Sequence, residues 1–464
     1  MEITAVHVLC MLGAIAAVLG TGIYVSRSVK SSEDYSVGGR SAGAIMTAGS
    51  IAGTIIGGGA TVGSSQLAFS YGLSAWWFTL GSGIGLIVMG LFYARKMHRS
   101  GLSTIPEVLE RSYGEKAQWI CTIISSVALV LSVVASGLSG IQIVALFFGV
   151  PDWAGAVILS GFVILYTFFG GMKSAGASGI LKMLIIFFSL FIAGFCAFLS
   201  LLSMDNFSVV FPEMPWLSLF GEGVQATLFS LGSVVVGVLC TQSYVQCVFS
   251  SATPRKAAVG CILAAFIIIP VGLPSVAIGM YMHAFEPDTL PVLVLPMYLL
   301  GHQNEILAGV ALGGIILSVI GSIGGLSLAV GTMVSKDLIA KIFSIKNDKL
   351  LFYIMRASVV FVIALSSVIS LCSLGSEVLF WNYLSMAFRG GGILFPMTLA
   401  IWKPGCIEKH WAVLSMAAST IASMLTTTVF PLPINPLFVG LIVSVLFLIP
   451  GYFVQRRKAG SVQS

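Results

Sequence analysis

The chain has 464 residues, 57% of them hydrophobic and only 9% charged, with a formal net charge of +6. Soluble domains carry about 25% charged residues, so these proportions exclude an ordinary water-soluble globule. The basic excess suggests nucleic acid only until the residues are located: they gather in short segments between apolar runs, and no nucleic-acid partner is expected.

Apolar runs long enough to cross ~30 Å of hydrocarbon at ~1.5 Å per residue recur along the whole chain. Spans are expected at 3–25, 42–68, 73–95, 117–149, 152–171, 176–203, 224–250, 257–284, 303–335, 350–372, 376–402, 411–430 and 434–454. The reading is an all-α membrane protein of about thirteen transmembrane helices, and an odd number puts the termini on opposite sides. Residues 3–25 lack a basic leader and are too long for a signal peptide, so they read as a helix. Arg40, Arg95, Lys96, Arg99, Arg111, Lys173, Arg255, Lys256, Lys341 and Lys403 fall on one side of this map. Asp152, Asp205, Glu213, Glu222, Glu286 and Asp288 fall on the other. The positive-inside rule then predicts an external N-terminus and a cytoplasmic C-terminus for a multi-pass protein of the cell (inner or plasma) membrane. The eight cysteines lie mostly inside spans, without CxxC pairs or His companions, and read as small buried hydrophobes.

Some stretches carry more than hydrophobicity. SSEDYSVGGRSAG (31–43) leads into AGSIAGTIIGGGATVGSSQLAFSYGL (48–73), where Gly57, Gly58 and Gly59 interrupt an apolar span. Each glycine costs a helix about 1 kcal/mol relative to Ala. Such a break leaves carbonyls to line a cavity or bind an ion, and close packing through small residues is the other reading. GLSTIPEVLERSYG (101–114) reads as an amphipathic surface helix, with Thr104 as N-cap, Pro106 in the first turn and Glu107 at the positive end. TQSYVQCVFSSATPRKAA (241–258) closes the seventh span, and SVIGSIGGLSLAVGTMVSKDL (318–338) is a Gly- and Ser-rich segment ending in an expected cytoplasmic Lys-Asp pair.

Together and in this order these stretches resemble the sodium:solute symporter family. The pattern S-x-E-D-Y-x-V-G-G-R, the T-I-P-E loop, and Gln242 and Gln246 before Ala252-Thr253-Pro254-Arg255 carry the likeness, which covers nearly the whole chain. Cys247 departs from the basic residue often found after the second glutamine. The resemblance implies a leucine-transporter-like, five-plus-five inverted repeat within a single transporter domain: an extra helix at 3–25, one repeat at 42–203, the other at 224–402, and two C-terminal helices at 411–454. It also implies a sodium site built from the carbonyls of Gly53, Ile56 and Ser318 and from hydroxyls at positions 321 and 322. Ser322 supplies one hydroxyl; Gly321 supplies none. Where relatives carry Thr-Asp, this chain has Ser178-Gly179, so a second sodium ion is not expected.

Three residues on, and on nearly the same helix face, stands Lys182. An ionisable group inside a span is a functional candidate by default. It either snorkels to the inner helix end or points inward, takes the cation position and couples transport to protons. Arg389, before Gly390, Gly391 and Gly392 and near Pro396, is the other deep basic residue. It either holds an anionic group of the substrate or pairs structurally, with carbonyls freed in a locally broken helix or with Glu377. Further cavity candidates are Gln66, Gln242, Thr61, Tyr244 and Gln246, the amides of Gln66 and Gln242 foremost. Ala60, where the family places a sugar-binding glutamine, argues against a hexose.

The expected function is secondary active symport. A cation gradient, sodium on the family pattern or protons through Lys182, drives uptake of a small polar solute, carboxylate-bearing if Arg389 faces it. A ligand sensor on the same fold is the alternative, although such sensors ordinarily carry a signalling domain and only about ten residues follow 454. No nucleophile–base or metal-ligand spacing appears within the spans, so an enzyme is not expected, nor an organic cofactor. The bilayer is the expected partner, and no obligate protein partner is evident.

Overall fold

The computed structural model describes residues 3–27, 31–428 and 434–463, and they form an all-α bundle. With no water in hydrocarbon, helices pair their own backbone groups, and every expected span coincides with a helix or a pair of helices. Among the described residues nine helices are long and apolar enough to cross a membrane, ten if the bent pair Val224–Leu239 and Gln242–Ser250 is one span. Ala44–Ile55 and Asp152–Thr167 are shorter apolar helices. The end of the expected 411–430 span, at 429 and 430, lies outside the described residues.

The bundle is organised around Glu305–Met333, buried at every position from Ala311 to Met333. A helix apolar or small on all faces can be enclosed on all sides, and small residues let neighbours approach closely. Ala5–Ser26 packs by one stripe, Met11, Ile15, Val18 and Gly22, against this helix and against residues 152–202, where Gly22 meets Ser174. A Cβ at Gly309 or Gly313 would lie 2.7 Å from the His7 carbonyl or 2.9 Å from the Met11 carbonyl. The opposite face, with Leu9 and Tyr24 exposed, turns to lipid.

Residues 152–202 run as two helices joined at Gly171, whose φ of +50° is open chiefly to glycine. A side chain there would collide with Tyr35. The helix expected from 101–114 forms as Ile105–Tyr113: Thr104 Oγ1 accepts from Glu107 N at 3.1 Å, while Glu107 Oε2 accepts from Thr104 N at 3.3 Å. Ile105, Val108, Leu109 and Tyr113 form its buried face, laid on Glu115–Phe148 and Val378–Trp402. Between Phe285 and Glu305, where only a connection is expected, the chain forms the short helix Val294–His302 over the core.

Two helices are discontinuous. Ala44–Ile55 stops at Ile56–Gly58 and the chain resumes as a helix from Gly59 to Tyr71; Val224–Leu239 stops at Cys240–Thr241 and resumes as Gln242–Ser250, bent by 40°. Their far ends are joined by a parallel bridge, Ala42 N to Ser250 O at 3.1 Å and Ala252 N to Ala42 O at 2.8 Å.

Candidate functional site

At the first break, Ile56 turns to φ −76°, ψ +82°, and Gly57 N bonds back to Ile55 O at 2.9 Å. The glycine run propagates helix poorly, and the last turn is left with carbonyls that a continuous helix would have satisfied. Three side chains from two other helices take them. Lys182 Nζ donates to Gly53 O, Ser322 Oγ to Thr54 O and Ser318 Oγ to Ile56 O. Lys182 Nζ also lies 3.4 Å from Ser318 O. The structure thus brings Gly53, Ile56, Ser318, Ser322 and Lys182 together around one point. Lys182 is 1% exposed and does not snorkel to the helix end. Small residues set this approach: a Cβ at Gly53 would lie 3.2 Å from Gly179 Cα, and one at Gly179 would lie 2.7 Å from Gly49 O. Both readings of the glycine-rich span therefore hold on one helix, packing at Gly49 and Gly53 and interruption at 56–58. Ser178, in the place of the family's threonine, bonds Tyr166 Oη at 2.8 Å.

At the second break stands Arg389, 1% exposed, within electrostatic range of Tyr244 and Cys240. Its Nη1 donates to Ser385 Oγ at 2.9 Å, and its Nε is buried without a partner. Ser385 is itself fixed by Ser132 Oγ at 2.8 Å and by the Ala128 carbonyl. Among the described residues no carboxylate lies within ion-pair distance of this guanidinium, Glu377 included. The helix is not broken at Gly390–Gly392 as expected: Val378–Trp402 is continuous through Pro396. Those glycines are packing positions, against Val236 and Leu437, Gly440 and Ser423, and Thr420.

The other candidates divide between the two ends of the molecule. Gln66 lines a cavity of about 760 Å³ together with Gln142, Asp152 and Glu377, and its Oε1 accepts from Val378 N at 3.1 Å. Nearby, the Glu222 carboxyl is held above the usual range by burial and then by the Glu377 charge. Thr61 bonds back to Gly57 O at 3.0 Å. At the opposite end both amide atoms of Gln242 are bonded, whereas Gln246 uses its Nε2 and leaves its buried Oε1 without a partner. Gln242 accepts from Ile105 N at 2.8 Å and donates to Ser103 O at 3.2 Å, while Gln246 Nε2 donates to Ser36 O at 2.5 Å and lies 3.1 Å from Thr332 Oγ1. That end is further tied by Lys173–Asp34 at 2.6 Å and by Lys341–Glu110. Asp337, of the expected cytoplasmic Lys-Asp pair, is buried and bonded by Gln118 Nε2 at 3.1 Å.

Sequence reasoning missed Asn382. Buried one turn above Ser385, it faces the first break: a Cβ at Gly59 would lie 2.7 Å from its Nδ2 and 3.1 Å from the Phe78 ring. An amide inside the apolar run 378–402 was the available signal.

Two discontinuous helices inside an all-α bundle with helices of membrane-spanning length give the chain a leucine-transporter-like fold. A structure of a Na⁺-coupled sialic acid symporter in a substrate-bound, outward-open state superimposes with a TM-score of 0.84 at 16% identity, covering 98% of both chains. The chain belongs to the sodium:solute symporter family, whose model matches residues 35–409. The relatives it matches are transporters by name. The chain is 26% identical over 423 residues, 83% of this chain, to the high-affinity choline transporter 1 of Drosophila melanogaster. It is 29% identical over 185 residues, 38% of this chain, to the high-affinity proline transporter PutP of Bacillus subtilis (strain 168). The chain spans 64% of the fly protein's length, and the second match covers 39% of the bacterial one.

Proposed function

We propose that this protein is a secondary active symporter that couples a monovalent cation gradient to uptake of a small, polar, carboxylate-bearing solute. Arg389 carries the reading. A buried guanidinium with one neutral hydrogen bond and no carboxylate partner is costly unless an anion completes it, and its fork suits a carboxylate. The 760 Å³ cavity ends beside Glu377, and Arg389 lies twelve residues, ~18 Å, further along the same helix, past Asn382. Proline, in the name of the bacterial relative, carries a carboxylate. Choline, in the name of the fly relative, is a cation that Arg389 would repel.

The halves at 42–203 and 224–402 are the units that move, with the solute held between the two breaks. Family membership supports a cation as the driver, and the candidates are sodium and the proton. The decisive experiment is uptake into proteoliposomes across a panel of carboxylates and amines, with sodium and proton gradients imposed separately. Gradient-driven uptake of a carboxylate supports the reading; uptake of amines alone, or none under either gradient, rejects it. The orientation has its own test: a reporter fused after Ser464 should read as cytoplasmic and one fused before Met1 as external.

A further inference from the structure

Two losses and one gain meet where two helices face the first break: no hydroxyl at Gly321 on one, and no carboxylate at Gly179 but a lysine at 182 on the other. The geometry makes them one feature. We propose that the Lys182 side-chain nitrogen is the resident cation of the position between the first break and Glu305–Met333, and that the family's sodium ion does not bind there. This rests on the symporter reading only for its meaning in transport; whether sodium binds is a separate question.

A hard cation of sodium's kind needs about five or six oxygens converging on it. The donor set here does not offer them. Of the three carbonyls the family pattern supplies, Gly53 O and Ser318 O already face Lys182 Nζ, and Ile56 O receives the hydroxyl of Ser318. The one remaining family hydroxyl, Ser322 Oγ, donates to Thr54 O. The three carbonyls are thus each met by a proton donor from this chain, and Ser322 Oγ is turned by its own bond toward Thr54 O. Among the described residues no carboxylate lies within ion-pair distance of Nζ, so backbone carbonyls alone balance its charge, as they would a metal ion's.

The absences at 321 and 179 follow from the presence at 182. A Cβ at position 321 would lie 2.5 Å from Lys182 Nζ and 3.3 Å from Gly53 O, so a hydroxyl-bearing residue there would push the lysine tip out of its present position. At 179, a Cβ would meet Gly49 O at 2.7 Å. The glycine lets the two helices touch, and this brings the lysine stem across to the break. Snorkelling is excluded by the position of Nζ, and an ordinary packing role leaves the match to the cation position unexplained. While Lys182 carries its proton, two unit charges about 4 Å apart, at the effective dielectric of a protein interior, would weaken sodium binding by roughly a thousandfold. A cation tethered by its own side chain cannot be released to either side of the membrane, so sodium leaving this position does not drive the solute.

The test is sodium binding by the purified full-length protein, read by thermal melting and by ²²Na⁺ retention, in NaCl against N-methyl-D-glucamine chloride at equal ionic strength. Choline salts are unsuitable as the control, because choline is the solute in the names of several relatives. The expected result is no sodium-specific shift and no retained ²²Na⁺ in the unmodified protein. A Lys182→Ala, Gly321→Ser double substitution removes the tethered cation and restores the missing hydroxyl, and it should gain both signals. If that variant does not fold, the unmodified protein still decides. A sodium-specific shift with ²²Na⁺ retention that Ser322→Ala weakens at least severalfold would overturn the inference and leave the symporter reading standing. Absence of all solute uptake would sink the symporter reading while the sodium measurement still stood.

Discussion

The two breaks solve the same problem in opposite ways. Interrupting a helix inside the membrane frees backbone groups that must find partners. At the first break the partners are side chains, Lys182, Ser318 and Ser322, and the site is filled from within. At the second, a cation stands beside the interruption with donors to spare, since Arg389 spends one bond on Ser385 and leaves Nε unpaired. The difference teaches where a ligand has something to gain. A site satisfied by its own chain has little affinity left to offer, whereas a buried, half-partnered guanidinium is stabilised by whatever anion completes it.

The comparison can be broken most severely at the packing beneath the first break. Gly179→Leu drives a side chain into the Gly49 carbonyl, and overpacking of this kind should cost about 3 kcal/mol, read as a large fall in melting temperature or loss of monodisperse protein. Next comes the open site. Arg389→Gln should raise the half-saturating concentration of a carboxylate solute by about a hundredfold, since hydrogen bonds to charged groups contribute about 1.5–3 kcal/mol, and Arg389→Lys should retain part of the affinity. If both variants instead melt early with unchanged uptake per folded molecule, Arg389 is a structural clamp. A smaller effect sharpens the closed site. Ser322→Ala strips Thr54 O of its donor and should cost about 1–2 kcal/mol of stability, equally in sodium and in N-methyl-D-glucamine. A loss confined to sodium would mean that the serine serves an ion. The smallest change is expected for Thr104→Ala, which removes an N-cap from the helix that anchors Gln242: about 1 kcal/mol, with no effect on solute affinity.

At the first break, three consecutive glycines inside an apolar run left interruption and packing as two readings, and the residues meeting there could be carried over by counting from Gly39-Arg40 and Asp337. Which way Lys182 pointed was not legible. Helical periodicity gives a residue's face, but only the approach of Gly53 to Gly179 decides whether a long stem reaches the break or the helix end. The second break was expected from the family resemblance alone, and its position did not show in the residues. Cys240 and Thr241 are ordinary helix residues in an unbroken apolar stretch, while Gly390–Gly392, which looked like an interruption, turned out to admit neighbouring helices. Gln242 and Gln246 misled through the same ambiguity. An amide in the membrane needs a partner, and the backbone of a neighbouring segment meets that need as well as a solute does.

The bridge between Ala42 and Ser251 has a mechanical meaning. Two backbone hydrogen bonds, reinforced by Thr47 Oγ1 against Ser251 Oγ at 2.8 Å and by His98 Nε2 on the Ser251 carbonyl at 2.6 Å, fasten the start of one discontinuous helix to the finish of the other. The pair therefore shares a pivot, and a tilt of either about that end is delivered to its counterpart as through a yoke. Alternating access in such a chain has fewer independent degrees of freedom than two broken helices would otherwise possess.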